Sequence, residues 1–166
     1  MNATPAAHTV SAPAPVLPGV PGTREYLHGD AFTLPAHGSG VPQARHHLCT
    51  LLTQWAVDAA LRDDAALILS ELFTNALIHT DSAQITCRVL AAQHGVYLSI
   101  TDQGQGLTGP RVQSTQCAPE RDSAESGRGL LLVSALAATW GVANDPGHGR
   151  TVWAVLNLDG DAYRED

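Results

Sequence analysis

ILSELFTNALIHT, residues 68–80, is the stretch of this sequence that decides its fold. Glu71 and Asn75 lie four residues apart, so on a helix both side chains project from one stripe, while Leu69 and Leu72 point elsewhere and can pack. A carboxylate can take a proton from a hydroxyl or water, and a carboxamide oxygen can bind Mg²⁺ without adding charge. The stretch predicts a helix carrying a candidate phosphoryl-transfer pair; the alternative is two solvated residues on an amphipathic helix.

The sequence before this stretch predicts a leader, a short strand and another helix. Residues 1–22 hold five of the ten prolines among alanines and almost no charge, so we expect a disordered leader. A short strand is expected at residues 31–34, and apolar residues at helical spacing predict an amphipathic helix over 41–57. The helix that contains the quoted stretch is expected to run from near Arg62 to about His79.

After Asp81 the apolar spacing changes from the helical period to alternation. Four strands are predicted, at residues 85–89, 96–100, 140–142 and 151–156. Between the second and third strands, a long polar stretch at 109–126 is typical of a lid or binding loop, and a buried helix is expected from Gly129. The order of helices and strands along the chain shows no regular βαβ alternation. It therefore predicts an α+β two-layer sandwich with a mixed, largely antiparallel sheet and helices on one face.

Asp102 follows a predicted strand and precedes Gly104 and Gly106, where the backbone is free to turn closely beneath a ligand. A carboxylate there could accept a hydrogen bond from an adenine amino group; the alternative is a turn in which the aspartate caps its own backbone. Together with Gly109 the glycines also spell G-x-G-x-x-G. The dinucleotide fingerprint requires a helix to start at these glycines, whereas Pro110 and the polar loop follow, which argues against it.

A second glycine pair, Gly127 and Gly129 in ESGRGLLLV, stands immediately before the predicted apolar helix. Unpaired N–H groups and the helix dipole favour phosphate oxygens there; the alternative is a loop end with close helix packing. Arg128 or Arg150 could add positive charge, or be an ordinary solvated arginine. Thr151 could offer a hydroxyl to the adenine side of a pocket, or simply be a strand threonine.

Composition excludes several classes of function. The net charge of -7, from 9 basic and 16 acidic residues, argues against a nucleic-acid-binding surface. Three scattered cysteines indicate a reducing compartment rather than a disulfide scaffold, and the eight histidines show no zinc-binding spacing. No segment is apolar for long enough to span a bilayer. We expect a cytoplasmic protein with one domain at 23–160 and a tail at 161–166.

Four segments taken in order carry a family resemblance: ILSELFTNALIHT, ITDQGQGL, ESGRGLLLVSALAATWGV and GRTVWAVL. They resemble the ATP-binding boxes of the family that includes gyrase, histidine kinases and heat-shock chaperone ATPases. They look most like its compact branch, the bacterial anti-sigma-factor serine/threonine kinases. The resemblance covers roughly residues 30–157 and implies the Bergerat-type ATP-binding fold.

The resemblance also implies roles for the candidate residues. In that family the helical E-x-x-x-N motif supplies a general base and a magnesium ligand, which correspond to Glu71 and Asn75. The D-x-G-x-G box reads adenine through its aspartate, here Asp102, with Gly104 and Gly106 shaping the pocket.

The last two boxes correspond to the other candidates. The family's second glycine box cradles phosphates and matches Gly127 and Gly129, with Arg128 between them, and its late threonine matches Thr151. The resemblance implies ATP and Mg²⁺ as cofactors. It also implies a homodimer that binds a sigma factor and phosphorylates a serine or threonine on an anti-anti-sigma (STAS-type) partner.

A second hypothesis belongs to another class of function. The chain would be a nucleotide-gated module that sequesters a transcription regulator without phosphorylating it. In that case ATP would order the lid at 107–126 and so shape the surface that the partner binds.

Overall fold

The computed structural model describes residues 26–92, 95–103, 126–145 and 149–157 of the chain. This part contains, in order, β1 (His28–Pro35), α1 (Gly40–Gln54), α2 (Ala59–His79), β2 (Gln84–Ala92), β3 (Gly95–Asp102), α3 (Ser126–Leu136), β4 (Thr139–Asp145) and β5 (Gly149–Asn157). The predicted leader, the tail and residues 109–125 of the predicted lid lie outside the described residues. No helix of the described part is long and apolar enough to cross a bilayer.

The five strands form one sheet in the order β1-β2-β3-β5-β4, and every neighbouring pair is antiparallel. β2 and β3 form the predicted hairpin, with Ala92 paired to Gly95 across the two-residue connection. The last strand, β5, lies between β3 and β4, so β4 is at the edge. The two-layer α+β sandwich predicted from the sequence is therefore confirmed, and its described sheet is antiparallel throughout.

One face of the sheet packs against the helices because its strands alternate apolar and polar side chains. In β2, the side chains of Ile85, Cys87 and Val89 are fully buried on this face. The helices contribute mainly leucines and alanines, together with one phenylalanine, to the same core. Its largest members are Leu48, Leu52, Ile68, Leu69, Leu72, Phe73, Ile85, Leu98, Ile100 and Leu156. Burying one such side chain contributes about 2 kcal/mol, so this layer contact holds the domain together.

The opposite face of the sheet, called the outer face from here on, carries a second apolar cluster. Tyr97, Trp153 and Val155 form its buried part, and the half-buried side chains of Tyr26 and Leu90 pack against them. The Trp153 indole lies flat on β4, since a β-carbon added at Gly141 would be 2.6 Å from its Cζ2 atom. No residue of the described helices belongs to this cluster.

Several element boundaries differ from those predicted. α2 begins at Ala59 rather than near Arg62, because the Asp58 carboxylate caps the helix by accepting a hydrogen bond from the Ala60 amide at 2.9 Å. α1 ends at Gln54 rather than at residue 57, and soon after it the backbone of Ala56 is left-handed, with φ of 55°. α3 begins at Ser126, three residues before the predicted start.

Candidate functional site

Glu71 and Asn75 lie on α2 at the boundary between the core and solvent. Leu67 and His79, on the same stripe of the helix, are exposed, whereas Glu71 and Asn75 are half-buried. The opposite side of the helix is buried at Ile68, Leu69, Leu72, Phe73 and Ala76. A half-buried polar pair at the border of this apolar side is placed where protein dipoles replace part of its water, which strengthens its contacts with a charged ligand.

The first turn of α3 lies directly against the Glu71 carboxylate. A β-carbon added at Gly129 would be 2.5 Å from Oε2 of Glu71 and 3.4 Å from its Cδ. Only glycine therefore lets this turn approach Glu71 so closely. Because α3 begins at Ser126, Gly127 and Gly129 both lie within its first turn rather than before it. The backbone N–H groups of a first turn have no partner inside the helix, so those of this turn are available to an anion.

Asp102 is the last residue of β3, and its side chain is 3% exposed. It alternates with Leu98 and Ile100 and pairs with Ile85, so it points to the face that packs against the helices. The structure thus places Asp102 on the same side of the sheet as Glu71 and Asn75. Little water reaches a carboxylate buried this deeply, so its polar contacts must be well defined.

The C-terminal ends of α2 and β3 lie at the same end of the sheet. The amide of Gln103, the residue after Asp102, donates a 2.9 Å hydrogen bond to Oγ of Ser82, three residues beyond the end of α2. Asn75 is only one turn before the end of that helix. No sequence pattern points to Ser82, because a hydrogen bond between two loop residues leaves no periodic signal.

The start of β5 presses against the backbone of Asp102. Gly149 has φ of +96°, a conformation that favours glycine, and an added β-carbon would collide with the carbonyl oxygen of Asp102. The next residue, Arg150, pairs with Asp102 in the register of β3 and β5. Paired residues of an antiparallel ladder share a face, so Arg150 lies on the Asp102 side of the sheet.

Thr151 lies on the other side. Its hydroxyl is hydrogen-bonded to that of Thr101 at 2.8 Å on the outer face. Successive strand residues alternate between faces, so the neighbours Thr101 and Asp102 point in opposite directions. The structure therefore does not bring the Thr151 side chain together with Asp102, Glu71 and Asn75. A sequence motif alone could not show on which face Thr151 lies, because the face depends on which residue of β3 pairs with Thr151.

Some of the predicted site residues lie beyond what the structure describes. Gly104 and Gly106 fall outside the described residues, and for Arg128 only its place in the backbone of α3 is described. The structure does bring Glu71 and Gly129 into contact. It places Asn75 and Asp102 on the same face and towards the same end of the sheet.

The described residues suit a magnesium ion only if it arrives with a phosphate ligand. Within the described ranges, no cluster of three or more His, Cys, Asp or Glu side chains could hold a metal ion by itself. Mg²⁺ is commonly held by one or two protein oxygens together with water and substrate phosphates. Asn75 could supply one such oxygen. One helical turn away, Glu71 lies next to the first turn of α3, which could hold the phosphates.

Comparisons with known proteins agree with this fold. The family model for the histidine kinase-like ATPase domain matches residues 34–156. A crystal structure of the RsbU and RsbW domains of Rv1364c from Mycobacterium tuberculosis is similar, with a TM-score of 0.56 and 18% sequence identity. That match covers 78% of this chain and 32% of the other, so this chain spans about a third of its length. No curated protein matches the sequence.

The family match includes all the elements that carry the candidate site, from Glu71 on α2 to Arg150 on β5. It also covers well over half of the chain, and the matching solved structure has the same kind of fold. The chain belongs to the histidine kinase-like ATPase domain family.

Proposed function

We propose that the chain binds Mg-ATP and transfers its γ-phosphoryl group to a serine or threonine of a protein partner. The observation that carries this proposal is the contact of the Glu71 carboxylate with the first turn of α3. A carboxylate that can take a proton is thereby held beside backbone N–H groups that can bind phosphate. Phosphoryl transfer needs these two functions next to each other.

Each residue has a distinct role in this proposal. The first-turn amides of α3, including those of Gly127 and Gly129, bind phosphate oxygens, while Asp102 accepts a hydrogen bond from the adenine amino group. The side-chain oxygen of Asn75 binds Mg²⁺, which when bound neutralises charge on the phosphates. Glu71 takes the proton from the acceptor hydroxyl. The acceptor oxygen then bonds to the γ-phosphorus as the bond between that phosphorus and the oxygen of ADP breaks.

We further propose that the partners are proteins that regulate transcription. The resemblance to anti-sigma-factor kinases favours a homodimer that sequesters a sigma factor and phosphorylates a STAS-type anti-anti-sigma protein in the cytoplasm. The solved relative includes an RsbW domain, which supports this assignment at the level of the fold. The net charge of -7 is consistent with control through protein partners rather than through contact with DNA.

Calorimetry with Mg-ATP and a phosphotransfer assay with a STAS-domain protein from the same source test the proposal. Glu71→Gln keeps the shape of the side chain, so we expect it to bind ATP like the wild type but to transfer phosphate about 100-fold more slowly. Asp102→Asn removes the charged acceptor and should weaken ATP binding by about tenfold or more. Asp63→Asn, an exposed change on α2, serves as the matched control and should alter neither measurement.

The possible results separate two functions. Undiminished transfer by Glu71→Gln would remove Glu71 as the base, and failure of the wild type to bind ATP would end the proposal altogether. The other function is a nucleotide-gated binding module. It would be supported if the wild type binds ATP but transfers no phosphate, and if both the wild type and Glu71→Gln capture a sigma factor only when ATP is present.

A further inference from the structure

The amide of Gln103 marks the point where the chain leaves the sheet after β3. The register of β3 with β2 ends at Asp102, which pairs with Ile85, whereas β2 continues to pair with β1 as far as Gln84. The next amide along the chain, that of Gln103, donates its 2.9 Å hydrogen bond to the hydroxyl oxygen of Ser82. Side-chain bonds of this kind compete with regular backbone pairing. The Ser82 hydroxyl therefore fixes the backbone immediately after Asp102.

The segment that carries Ser82 is itself held on both sides. Before it, the Thr80 hydroxyl donates a 2.6 Å hydrogen bond to the carbonyl of Ala76 in the last turn of α2. After it, the carbonyl of Ala83 accepts a 3.0 Å hydrogen bond from the amide of Ala36, directly after β1. Ser82 is also half-buried. Its hydroxyl thus links the end of α2 to the end of β3.

One peptide group is restrained at both of its polar ends. The carbonyl of Asp102 and the amide of Gln103 belong to the same planar unit. The start of β5 lies against the carbonyl oxygen, since an added β-carbon at Gly149 would collide with it. On the side of β2, Ser82 holds the N–H group. A peptide plane held at both ends cannot rotate freely, so the backbone that directs the Asp102 side chain is fixed.

We propose that Ser82 is a positioning residue for recognition of the nucleotide base. Its hydroxyl holds the peptide after Asp102 and so keeps the Asp102 carboxylate where it can accept a hydrogen bond from the exocyclic amino group of adenine. Ser82 acts through Asp102 and does not touch the base. This inference rests on the proposed function and adds to it a residue that sets the preference for a base with an amino group.

The geometry of hydrogen bonds explains why the preference should depend on Ser82. A hydrogen bond weakens steeply as its angle departs from the optimum. A small rotation of the peptide after Asp102 would therefore weaken the bond to the amino group. Contacts between the phosphates and the first turn of α3 would be left unchanged, because they do not pass through this peptide.

Calorimetry with two nucleotides in the presence of Mg²⁺ tests this inference. One is ATP and the other is purine riboside triphosphate, in which a hydrogen replaces the 6-amino group. We expect the wild type to bind ATP about tenfold more tightly than the analogue, which cannot donate to the buried Asp102 carboxylate. Ser82→Ala should bind ATP about fivefold less tightly than the wild type and the analogue within about twofold, so that the preference for ATP falls.

Two further variants separate positioning from a general loss of structure. Ser82→Thr keeps the hydroxyl and should restore the preference for ATP. Ser134→Ala is the matched control, since it removes the acceptor of the 3.0 Å hydrogen bond from the Trp140 indole, in the half of β4 that is farther from Asp102. Both affinities should be unchanged in this variant.

Hydrogen exchange without nucleotide measures the bond itself. The Gln103 amide should exchange about tenfold faster in Ser82→Ala than in the wild type, because it has lost its acceptor. An unchanged exchange rate would overturn the inference whether or not the chain binds ATP.

The binding results distinguish this inference from the proposed function. The inference is overturned if Ser82→Ala keeps the full preference for ATP, if it loses affinity for both nucleotides equally, or if Ser82→Thr does not restore the preference. A wild type that binds ATP and the analogue equally would also overturn it, but Mg-ATP binding, and with it the proposed phosphotransfer, would stand. A wild type that binds neither nucleotide would end the proposed function and this inference together.

Discussion

At the scale of single residues, the candidate site depends on glycine having no side chain at position 129. Gly129 has no β-carbon, and one placed there would meet Oε2 of Glu71 at 2.5 Å. Real β-carbons do not approach another heavy atom so closely, so any larger residue must move either α3 or the carboxylate. The sequence alone predicted that Gly129 belongs to the backbone that binds phosphate. The structure adds that it also makes room for the proposed base.

Gly129→Ala should therefore damage the site more than the fold. Overpacking costs about 1–3 kcal/mol, and rotation of the Glu71 side chain can relieve part of it. We expect a small loss of stability in urea unfolding and a roughly tenfold slower phosphotransfer, since a displacement of the base is felt directly in the reaction. Gly38→Ala is the matched control, because no atom lies within 4 Å of an added β-carbon there. Equal transfer rates in the two variants would show that the position of Glu71 does not matter.

Cys87 supplies a residue-scale prediction about pH. Burial raises the pKa of its thiol from 9.0 to about 12. In the unfolded chain the thiol ionises near its ordinary value, so between about pH 9 and 12 the unfolded state loses the proton first. The contribution of the neutral thiol is complete below pH 9 and declines as the pH rises towards 12.

Urea unfolding at pH 8 and pH 11 measures this contribution. The wild type should lose about 3 kcal/mol more stability over that interval than Cys87→Ala, which has no thiol to ionise. Cys49→Ala, which removes an exposed thiol, should follow the wild type. Identical slopes for the wild type and Cys87→Ala would mean that the buried thiol ionises as it does in water.

At the scale of elements, the register of β3 and β5 assigns each side chain to a face. Arg150 pairs with Asp102 and Thr151 pairs with Thr101, so only Arg150 shares the face of the site. The threonine hydroxyls of the outer face are bonded to each other across the strands, both at Thr101 and Thr151 and at Thr33 and Thr86.

Thr151→Val should leave nucleotide binding intact. Its hydroxyl is occupied on the outer face, so calorimetry should give an ATP affinity within about twofold of the wild type. Loss of the hydrogen bond should lower the free energy of unfolding by about 1 kcal/mol. Thr33→Val, which breaks the similar bond to Thr86 on β1, is the comparison variant. A tenfold loss of ATP affinity in Thr151→Val alone would return Thr151 to the adenine side of the pocket, the role that its place in the sequence suggested.

The same elements show how far the sequence could predict the structure. Periodicity, apolar runs and turn residues predicted the three helices and five strands of the described residues, and the spacing of Glu71 and Asn75 placed them on one stripe of α2. The start of α2 was missed because Asp63 and Asp64 resembled a first turn, whereas the true cap is Asp58. The position of β5 between β3 and β4 was not predictable, because strand order depends on contacts between distant residues. The face of Thr151 was not predictable for the same reason.

At the scale of the whole molecule, the candidate site joins four elements that are distant in sequence. α2 supplies Glu71 and Asn75, β3 supplies Asp102, and the starts of α3 and β5 lie against Glu71 and Asp102. A ligand bound among them would oppose separation of the helical layer from the sheet. Binding to the native state alone stabilises a protein in proportion to the logarithm of ligand concentration.

Mg-ATP should therefore raise the thermal stability of the whole domain. At a concentration 100 times its dissociation constant, it adds about 2.7 kcal/mol and should raise the Tm by roughly 8 °C in a thermal unfolding assay. If Asn75 is the protein ligand of Mg²⁺, Asn75→Ala should show a smaller shift, and EDTA should lower that shift by less than it lowers the shift of the wild type. Gly38→Ala, far from any neighbour, should keep both the full shift and its sensitivity to EDTA. If EDTA lowered the shift of Asn75→Ala by as much as it lowers that of the wild type, the contact between Asn75 and the ion would contribute nothing, and the protein ligand of the magnesium ion would be another residue.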